Sequence, residues 1–508
     1  MKMMRRESCC KFLVGLILMG GIGHAEEVIN LGSRRELMLD GFLFNSIRHL
    51  SFRQHQPVER EQVLDFSAPW EGRKYFGFSV TGYATVIPDA GQYRMYYASY
   101  FGHRLKPGDP TKQYTGYCVS KDGIHWTRPL LGRVAFEGSK QNNILRQGGR
   151  TSHNFAPFID SRPGVPADER YKAVGGNGKA FGFVSADGLD WRKFREKPIV
   201  DGSDPAFDRF GAVHWGNNPT KPRAILDSMN IAFWDAARKR YVFYFRAHLP
   251  ALDREGKKIE KPIRSVMMCT SQNFRDWSGI KPIDLGEPRQ LWRNELYTSM
   301  LQPYPRAPHL LVGIPLRTVP RRPFRGGSFG MSESVLMYSR DGERFRIAEE
   351  PFMRPGRDVR NWSKHGNLFG WGIVQTSEDE LSLYYQQHDH QKTAHLKRAT
   401  LRLDGFMSLH AGRYPGGVAI SRPIVFSGGE LELNVATGAG GGVRIGLIDA
   451  ETGQVIEGFE ESDEFFGDQI ATVVHWKGAA DIAKLAGRRI RMKISMYEAD
   501  LYSLRFRP

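Results

Sequence analysis

The sequence predicts an all-β chain: a five-bladed β-propeller followed by a small C-terminal β-sandwich. Three observations lead there. A hairpin motif recurs four times, short apolar strands alternate with Gly- and Pro-containing turns, and few stretches carry a helical period. The motif is clearest at Ser185-Ala186-Asp187-Gly188-Leu189-Asp190-Trp191. Ser120-Lys121-Asp122-Gly123-Ile124-His125-Trp126 precedes it. Ser271-Gln272-Asn273-Phe274-Arg275-Asp276-Trp277 and Ser339-Arg340-Asp341-Gly342-Glu343-Arg344-Phe345 follow. Each copy comes after an apolar strand and ends on an aromatic. Asp-Gly suits a tight hairpin because glycine accepts the positive φ that such turns require. The copies are unequally spaced along the chain, as expected for one repeated β unit with loops of variable length.

Taken in order, the chain opens on a secretion signal. Lys2, Arg5, Arg6 and Lys11 form a basic start, residues 12–22 a short apolar run, and Gly23-His24-Ala25 a small-residue cleavage site. The apolar run is too short to span a bilayer, so residues 1–25 are expected to be removed, leaving a secreted or periplasmic protein without a membrane anchor. Residues 29–44 read as a strand that packs on or closes the main domain, and residues 45–75 as irregular. Blade 1 is expected from about residue 75, with an inner strand over 83–87. Blades 2, 3 and 4 open at Ser152, Leu226 and Glu295, each ending at its hairpin, and a fifth runs from Gly370 to Leu403 without the motif. Beyond residue 406, polar and apolar residues alternate over 430–435, 443–448 and 489–494 between Gly-rich turns, the pattern of half-buried antiparallel strands. The expected division is therefore 1–25 signal, 26–405 propeller and 406–508 sandwich.

The 508 residues carry 55 glycines and are 41% hydrophobic and 12% aromatic, ample for two cores. The formal charge is +17. Loss of residues 1–25 takes four basic residues and one acidic residue, leaving +14. For an exported protein this points to an anionic polysaccharide, sulfated or uronate-bearing, rather than to nucleic acid. Two cysteines remain, Cys118 and Cys269, at matching strand positions of blades 1 and 3. A propeller keeps such positions apart, so two buried free thiols are expected.

Ligands of a propeller sit where the inner strands converge, so polar residues at inner-strand starts are the candidates. Cleavage of a glycosidic bond typically uses two carboxyl groups, one to protonate the leaving oxygen and one to activate water or attack. Asp227 and Glu295 open adjacent blades and form the best pair. Glu71, Asp65 and Glu333 are candidates for a third carboxylate. His153, Asn154, Asn230, His365, Asn367 and Trp371 are expected to bind sugar, and Trp70, Tyr75, Tyr297 and Trp362 are further aromatics near strand starts. No clustered His/Cys spacing or His-Glu-x-x-His occurs, so no metal or other cofactor is assigned. A structural calcium in the channel is the one alternative kept. No Gly-x-Ser-x-Gly elbow is present, which argues against an α/β-hydrolase.

Several segments carry a family resemblance. They are Asn142-Asn143-Ile144, Ser152-His153-Asn154-Phe155-Ala156-Pro157-Phe158, Asp227-Ser228-Met229-Asn230-Ile231-Ala232-Phe233-Trp234-Asp235, Tyr304-Pro305-Arg306 and Trp371-Gly372-Ile373-Val374. With these the chain resembles secreted bacterial proteins, common in planctomycetes, related to the five-bladed propeller glycoside hydrolases of families 32, 43 and 62. The resemblance implies an Asp on one inner strand and a Glu on a later one, and Asp227 and Glu295 match that placement. The chain lacks the Asn-Asp-Pro-Asn-Gly and Arg-Asp-Pro motifs and a first-blade Asp. Two readings therefore stay open: a glycoside hydrolase, or a non-catalytic carbohydrate-binding propeller.

Overall fold

A computed structural model of the chain describes residues 26–71, 83–101, 112–214, 218–221, 223–253, 255–260, 262–287, 289, 295–319, 330–389, 391–478 and 481–508. The expected signal segment and Tyr75 lie outside the described residues. Five antiparallel sheets follow one another as five blades. Their first strands are Ala84–Asp89, Ala156–Ile159, Ile231–Asp235, Gln302–Tyr304 and Leu368–Phe369. Their second strands, such as Arg240–Leu249 in blade 3, are buried along almost their whole length, as a blade sandwiched between two others requires.

The recurring motif is a turn that caps itself. In the first copy the Ser120 hydroxyl accepts from Gly123 N at 2.8 Å, while Asp122 Oδ1 accepts from Ile124 N and His125 N, both at 2.8 Å. Ser185 with Asp187 and Ser339 with Asp341 repeat the pattern. Gly123, Gly188 and Gly342 have φ of +75°, +77° and +74°. Phe274 takes the same position in the third copy at +66°. Its ring, packed among Phe158, Phe194, Tyr241 and Trp277, offsets the strain of that backbone. The hairpins also fasten blade to blade. Tyr96, Tyr244 and Tyr384 each donate from the preceding blade to the hairpin carbonyls of Gly188, Gly342 and Gly123, at 3.0, 2.8 and 2.7 Å.

The structure departs from the sequence reading ahead of blade 1. The stretch expected to be irregular contains three strands. Val58–Asp65 is the outer strand of blade 5, paired antiparallel with His395–Arg402. An N-terminal strand thus completes the last blade and closes the ring. Ile29–Gly32, Glu36–Leu37, Phe44–Arg48 and Leu50–Gln54 pair instead with six C-terminal strands in one ten-stranded network. Residues 29–54, expected with the propeller, therefore share a hydrogen-bonded sheet with residues 407–507. The network is organised by two long strands, Glu430–Asp449 and Ile490–Arg507, whose buried residues form a core of their own. Leu37 and Leu39 face the other way, into a cluster with Leu310, Tyr385 and Phe406, so that this segment also packs on the propeller as expected.

A buried polar lock joins the two parts. Asp404, fully buried at the end of blade 5, accepts from Tyr304 Oη at 2.6 Å, Ser503 Oγ at 2.6 Å and Asn434 Nδ2 at 3.2 Å. Arg35 and Arg306 lie 3.4 Å from its two oxygens, and Arg35 also pairs with Glu432. Cys118 and Cys269 are both buried and free. Removing one member of a buried, hydrogen-bonded charge network leaves the others uncompensated. Asp404→Ala is therefore expected to lower unfolding stability by roughly 3–5 kcal/mol in urea denaturation. A change below about 1 kcal/mol would show that the lock contributes little.

Candidate functional site

The inner-strand starts bring polar side chains from blades 1, 3, 4 and 5 together around one ring, Tyr297. Its hydroxyl meets that of Tyr83, from blade 1, at 2.7 Å. His365, from blade 5, packs against the ring with centroids 4.5 Å apart. The guanidiniums of Arg246 and Arg264, both from blade 3, lie 4.9 and 5.7 Å from the ring centroid, and Lys364 Nζ lies 6.0 Å away. Each arginine holds one of the predicted carboxylates. Arg246 donates to Asp227 Oδ2 at 2.6 Å, and Arg264 donates to Glu295 Oε1. Asn177 donates to the other Asp227 oxygen at 2.6 Å. The Asp227 side chain is 41% exposed and that of Glu295 only 8%.

Asp227 is held in place by the residue before it. Leu226 has φ +63°, an unfavourable backbone for a branched side chain. Its carbonyl accepts from Asn154 Nδ2 at 3.0 Å and Asn230 Nδ2 at 3.2 Å, and its N–H donates to Arg246 O at 2.8 Å. Glu295 precedes the first strand of blade 4, beside the bridge of Leu296 to Arg317, and Met300 between them has φ +47°. Both carboxylates therefore sit just ahead of an inner strand, on irregular backbone, rather than inside a regular ladder.

Several expected sugar ligands have other work. Asn154, Asn230 and Asn367 are buried and bond to backbone. Asn154 stitches Gly176 O to Leu226 O, and Asn230 Oδ1 accepts from Arg246 N. Asn367 donates to Arg354 O at 2.8 Å. Trp371 donates to Leu301 O at 2.8 Å and packs between blade cores, so its ring serves packing rather than stacking on sugar. His153 ends the helical turn Arg150–His153, and its side chain is outside the described set. His365 does reach the axis, with Nδ1 2.9 Å from Asp389 Oδ2.

None of the third-carboxylate candidates joins this cluster. Glu71 is fully buried and accepts from Tyr97, Ala68 N and Arg128, and Asp65 shares Arg128. Glu333 pairs with Arg317 across adjacent strands. Of the other aromatics, Trp70 donates to Asn143 Oδ1 and packs on Phe136, while Trp362 is exposed and donates to Gly356 O. Sequence reasoning missed Tyr83, Arg246, Arg264, Lys364 and Asp389. Arg246 carried a usable signal, as a cation at the end of the apolar run Tyr241-Val242-Phe243-Tyr244-Phe245.

Electrostatically the cluster is dense. A guanidinium is paired with each carboxylate. Burial, then the charges of Arg264 and Arg246, push the Lys364 ammonium below its ordinary pKa, while Asp389 and Asp227 oppose the shift. Burial pushes the Tyr83 and Tyr297 hydroxyls up, so both remain neutral donors. Among the described residues no group of three or more His, Cys, Asp or Glu side chains is arranged to hold a metal ion.

No family model matches the chain. A curated protein of Mycobacterium tuberculosis (strain ATCC 25618 / H37Rv), described only as uncharacterized, is 28% identical over 126 residues. That match spans 25% of this chain and 38% of the relative, so the chain covers well under half of that protein's length. Among solved structures, a protein described as a glycoside hydrolase is 14% identical, over 68% of this chain and 92% of its own, with a TM-score of 0.44. A glycoside hydrolase family 43 arabinoxylan arabinofuranohydrolase from Bacillus subtilis, in complex with cellotetraose, is 12% identical over 87% and 99%, with a TM-score of 0.40. A β-1,2-mannobiose phosphorylase from Listeria innocua is 10% identical over 69% and 99%, with a TM-score of 0.44. The five blades themselves are read from the sheet pairing.

The loop that carries Asp227 has a pH-sensitive support. His248 lies with Nδ1 2.9 Å from Ala224 O, two residues before Leu226, so Nδ1 carries the proton in the neutral ring. Burial, then the charge of Arg246, pull its pKa down to about 4. The folded state thus binds fewer protons than the unfolded state below the usual histidine value, and stability is lost as pH falls from about 6.5 toward 4. His248→Gln is expected to remove about 2 kcal/mol of that loss, read by urea unfolding across this window. Parallel pH profiles for variant and wild type would contradict it.

Proposed function

We propose that this protein is a secreted glycoside hydrolase that acts on a polysaccharide or its oligosaccharides, with Asp227 and Glu295 as its carboxylate pair. The observation that carries the reading is their shared setting. Two carboxylates from the inner-strand starts of adjacent blades are gripped by two arginines that flank the same axial tyrosine. Asp227, the more exposed, is suited to act on water or on the anomeric carbon, because Arg246 and Asn177 keep it ionised and oriented. Glu295 is assigned the proton transfer to the leaving oxygen. A proton donor must lose the grip of its guanidinium, so this role requires substrate to draw Arg264 away from it.

An anionic substrate, sulfated or uronate-bearing, fits that requirement. A carboxylate or sulfate on the sugar competes for Arg264, Arg246 and Lys364, the three cations gathered around Tyr297. The calculated charge of +14 for residues 26–508 supports the same preference. The C-terminal strand network serves as an accessory module on this reading. One observation favours a second reading, a carbohydrate-binding propeller without catalysis. Both carboxylates are ion-paired, and a carboxylate held ionised is a poor general acid.

The two readings separate in a single assay. Wild type, Asp227→Asn and Glu295→Gln are tested for release of reducing ends from neutral, sulfated and uronate polysaccharides. The hydrolase reading predicts turnover by wild type and a loss of about 100-fold or more in each variant. Equal turnover in all three proteins would sink the assignment of these residues. Saccharide binding without turnover on any substrate would select the binding reading.

A further inference from the structure

A second cleft lies away from the axis, between the N-terminal strands and blade 4. We infer that it binds a sulfated or carboxylated saccharide chain independently of the axial site. It encloses about 950 Å³, within the roughly 300–1,000 Å³ usual for a small-ligand site. Six arginines and His309 line it, against Asp40 and Asp341 as the acidic residues of the lining.

The arginines are not equivalent. Arg238 is spent on Asp235 and on two backbone carbonyls, and Arg340 on Glu36 and Asp40. Arg422 and Arg344 are paired with Glu27 and Asp284 at 3.0 Å. Arg34 and Arg346 are different. Their nearest carboxylate oxygens stand at 3.9 and 3.6 Å, beyond hydrogen-bond length, and their side chains are 40% and 66% exposed. Two guanidiniums on one cleft are thus held only by long ion pairs, without a hydrogen bond to a carboxylate, and each carries a planar fork of donors suited to a sulfate or carboxylate.

The wall between them is aromatic. Phe42 is half-buried, with the Arg340 and Arg422 guanidiniums 4.3 and 5.7 Å from its ring centroid, and Tyr338 lies beside Arg346. Phe42 already carries two guanidiniums on its ring and Tyr338 is buried, so recognition at this cleft falls to the arginines, which suit the anionic substituent of a sugar. A nucleic acid held by its backbone calls for a long basic track, and these six arginines line a single cleft. The choice of a saccharide over another anion rests on the carbohydrate reading of the axis.

The test reads binding and not turnover, so it stands whether or not the axis proves catalytic. Affinity of the full chain for dextran sulfate is measured by calorimetry, with uncharged dextran and single-stranded DNA as comparison ligands. The double variant Arg34→Gln/Arg346→Gln is expected to lose about tenfold in affinity. Lys140→Gln/Lys477→Gln, which removes two exposed cations outside the cleft, is expected to bind as wild type does, with uncharged dextran and DNA bound far more weakly than dextran sulfate. Thermal unfolding of the double variant should match wild type, since both arginines are exposed. If it does not, Arg346→Lys, which keeps the charge and removes the fork, is expected to weaken binding several-fold on its own. The inference is overturned by unchanged affinity in the double variant or in Arg346→Lys. It is equally overturned by a matching loss in Lys140→Gln/Lys477→Gln, or by DNA binding as tight as dextran sulfate.

Discussion

Everything at the axis depends on how the ring of blades is closed. A propeller has no covalent bond between its first and last blades, and here the strand Val58–Asp65 adds to closure by the Tyr384 bond to Gly123 O and the bridge of Trp371 to Thr85. The strand pairs antiparallel with His395–Arg402 in blade 5. Lys397 reaches Glu59 at 2.8 Å and Arg398 pairs with Glu61, while Leu64, Phe66 and Leu396 pack with Met95, Tyr97 and Cys118 of blade 1. Main-chain pairing thus joins the strand to blade 5, and apolar burial joins it to blade 1. The contact between Tyr83 and Tyr297 crosses between blades 1 and 4, so it exists only in the closed ring.

The blade interfaces use two kinds of bond with different tolerances. Tyrosine hydroxyls donate to hairpin carbonyls at three interfaces, each worth about 1 kcal/mol net. Carboxylates do more at the centre and at the junction with the C-terminal strands. Asp404 gathers partners from three separated parts of the chain, and Asp227 gathers Arg246 and Asn177. The tyrosine bonds are modular and the carboxylate networks are not, because an anion left without its cations in a low dielectric costs several kcal/mol. At the axis those networks leave Asp227 partly open, so a ligand able to compete for the arginines can enter the same electrostatic arrangement.

Much of the scaffold was legible because the hairpin motif is local. Ser and Asp cap the turn within a few residues of one another, so their spacing survives in the sequence whatever the loops do. The closing strand was illegible for a physical reason. Glu59, Arg60, Glu61 and Gln62 lie on an exposed outer edge, so the strand carries no apolar alternation to reveal it. The parallel pairing of Ile29–Gly32 with Ile424–Phe426 is also unreadable, since nothing local specifies a partner so far along the chain. At the site, counting back from the hairpins placed Asp227 and Glu295 at inner-strand starts. The same counting brought forward Asn154, Asn230 and Asn367 as ligands. An asparagine beside a strained turn can serve the backbone or a sugar with the same side chain, and these serve the backbone. Arg246 and Arg264 lie near the ends of long strands of blade 3, and only Arg246, closing an apolar run, stood out in the sequence.

The central claim is that the two arginine-held carboxylates flank one sugar-binding position at the propeller axis. A crystal structure of the Asp227→Asn variant soaked with a sulfated or uronate oligosaccharide tests it most directly. The account predicts a sugar against Tyr297, with a glycosidic oxygen within about 3.2 Å of a Glu295 carboxyl oxygen. Side chains 227 and 295 should lie within about 10 Å of each other across it. Carboxyl positions opening into separate cavities, or sugar bound elsewhere with the axis empty, would contradict it.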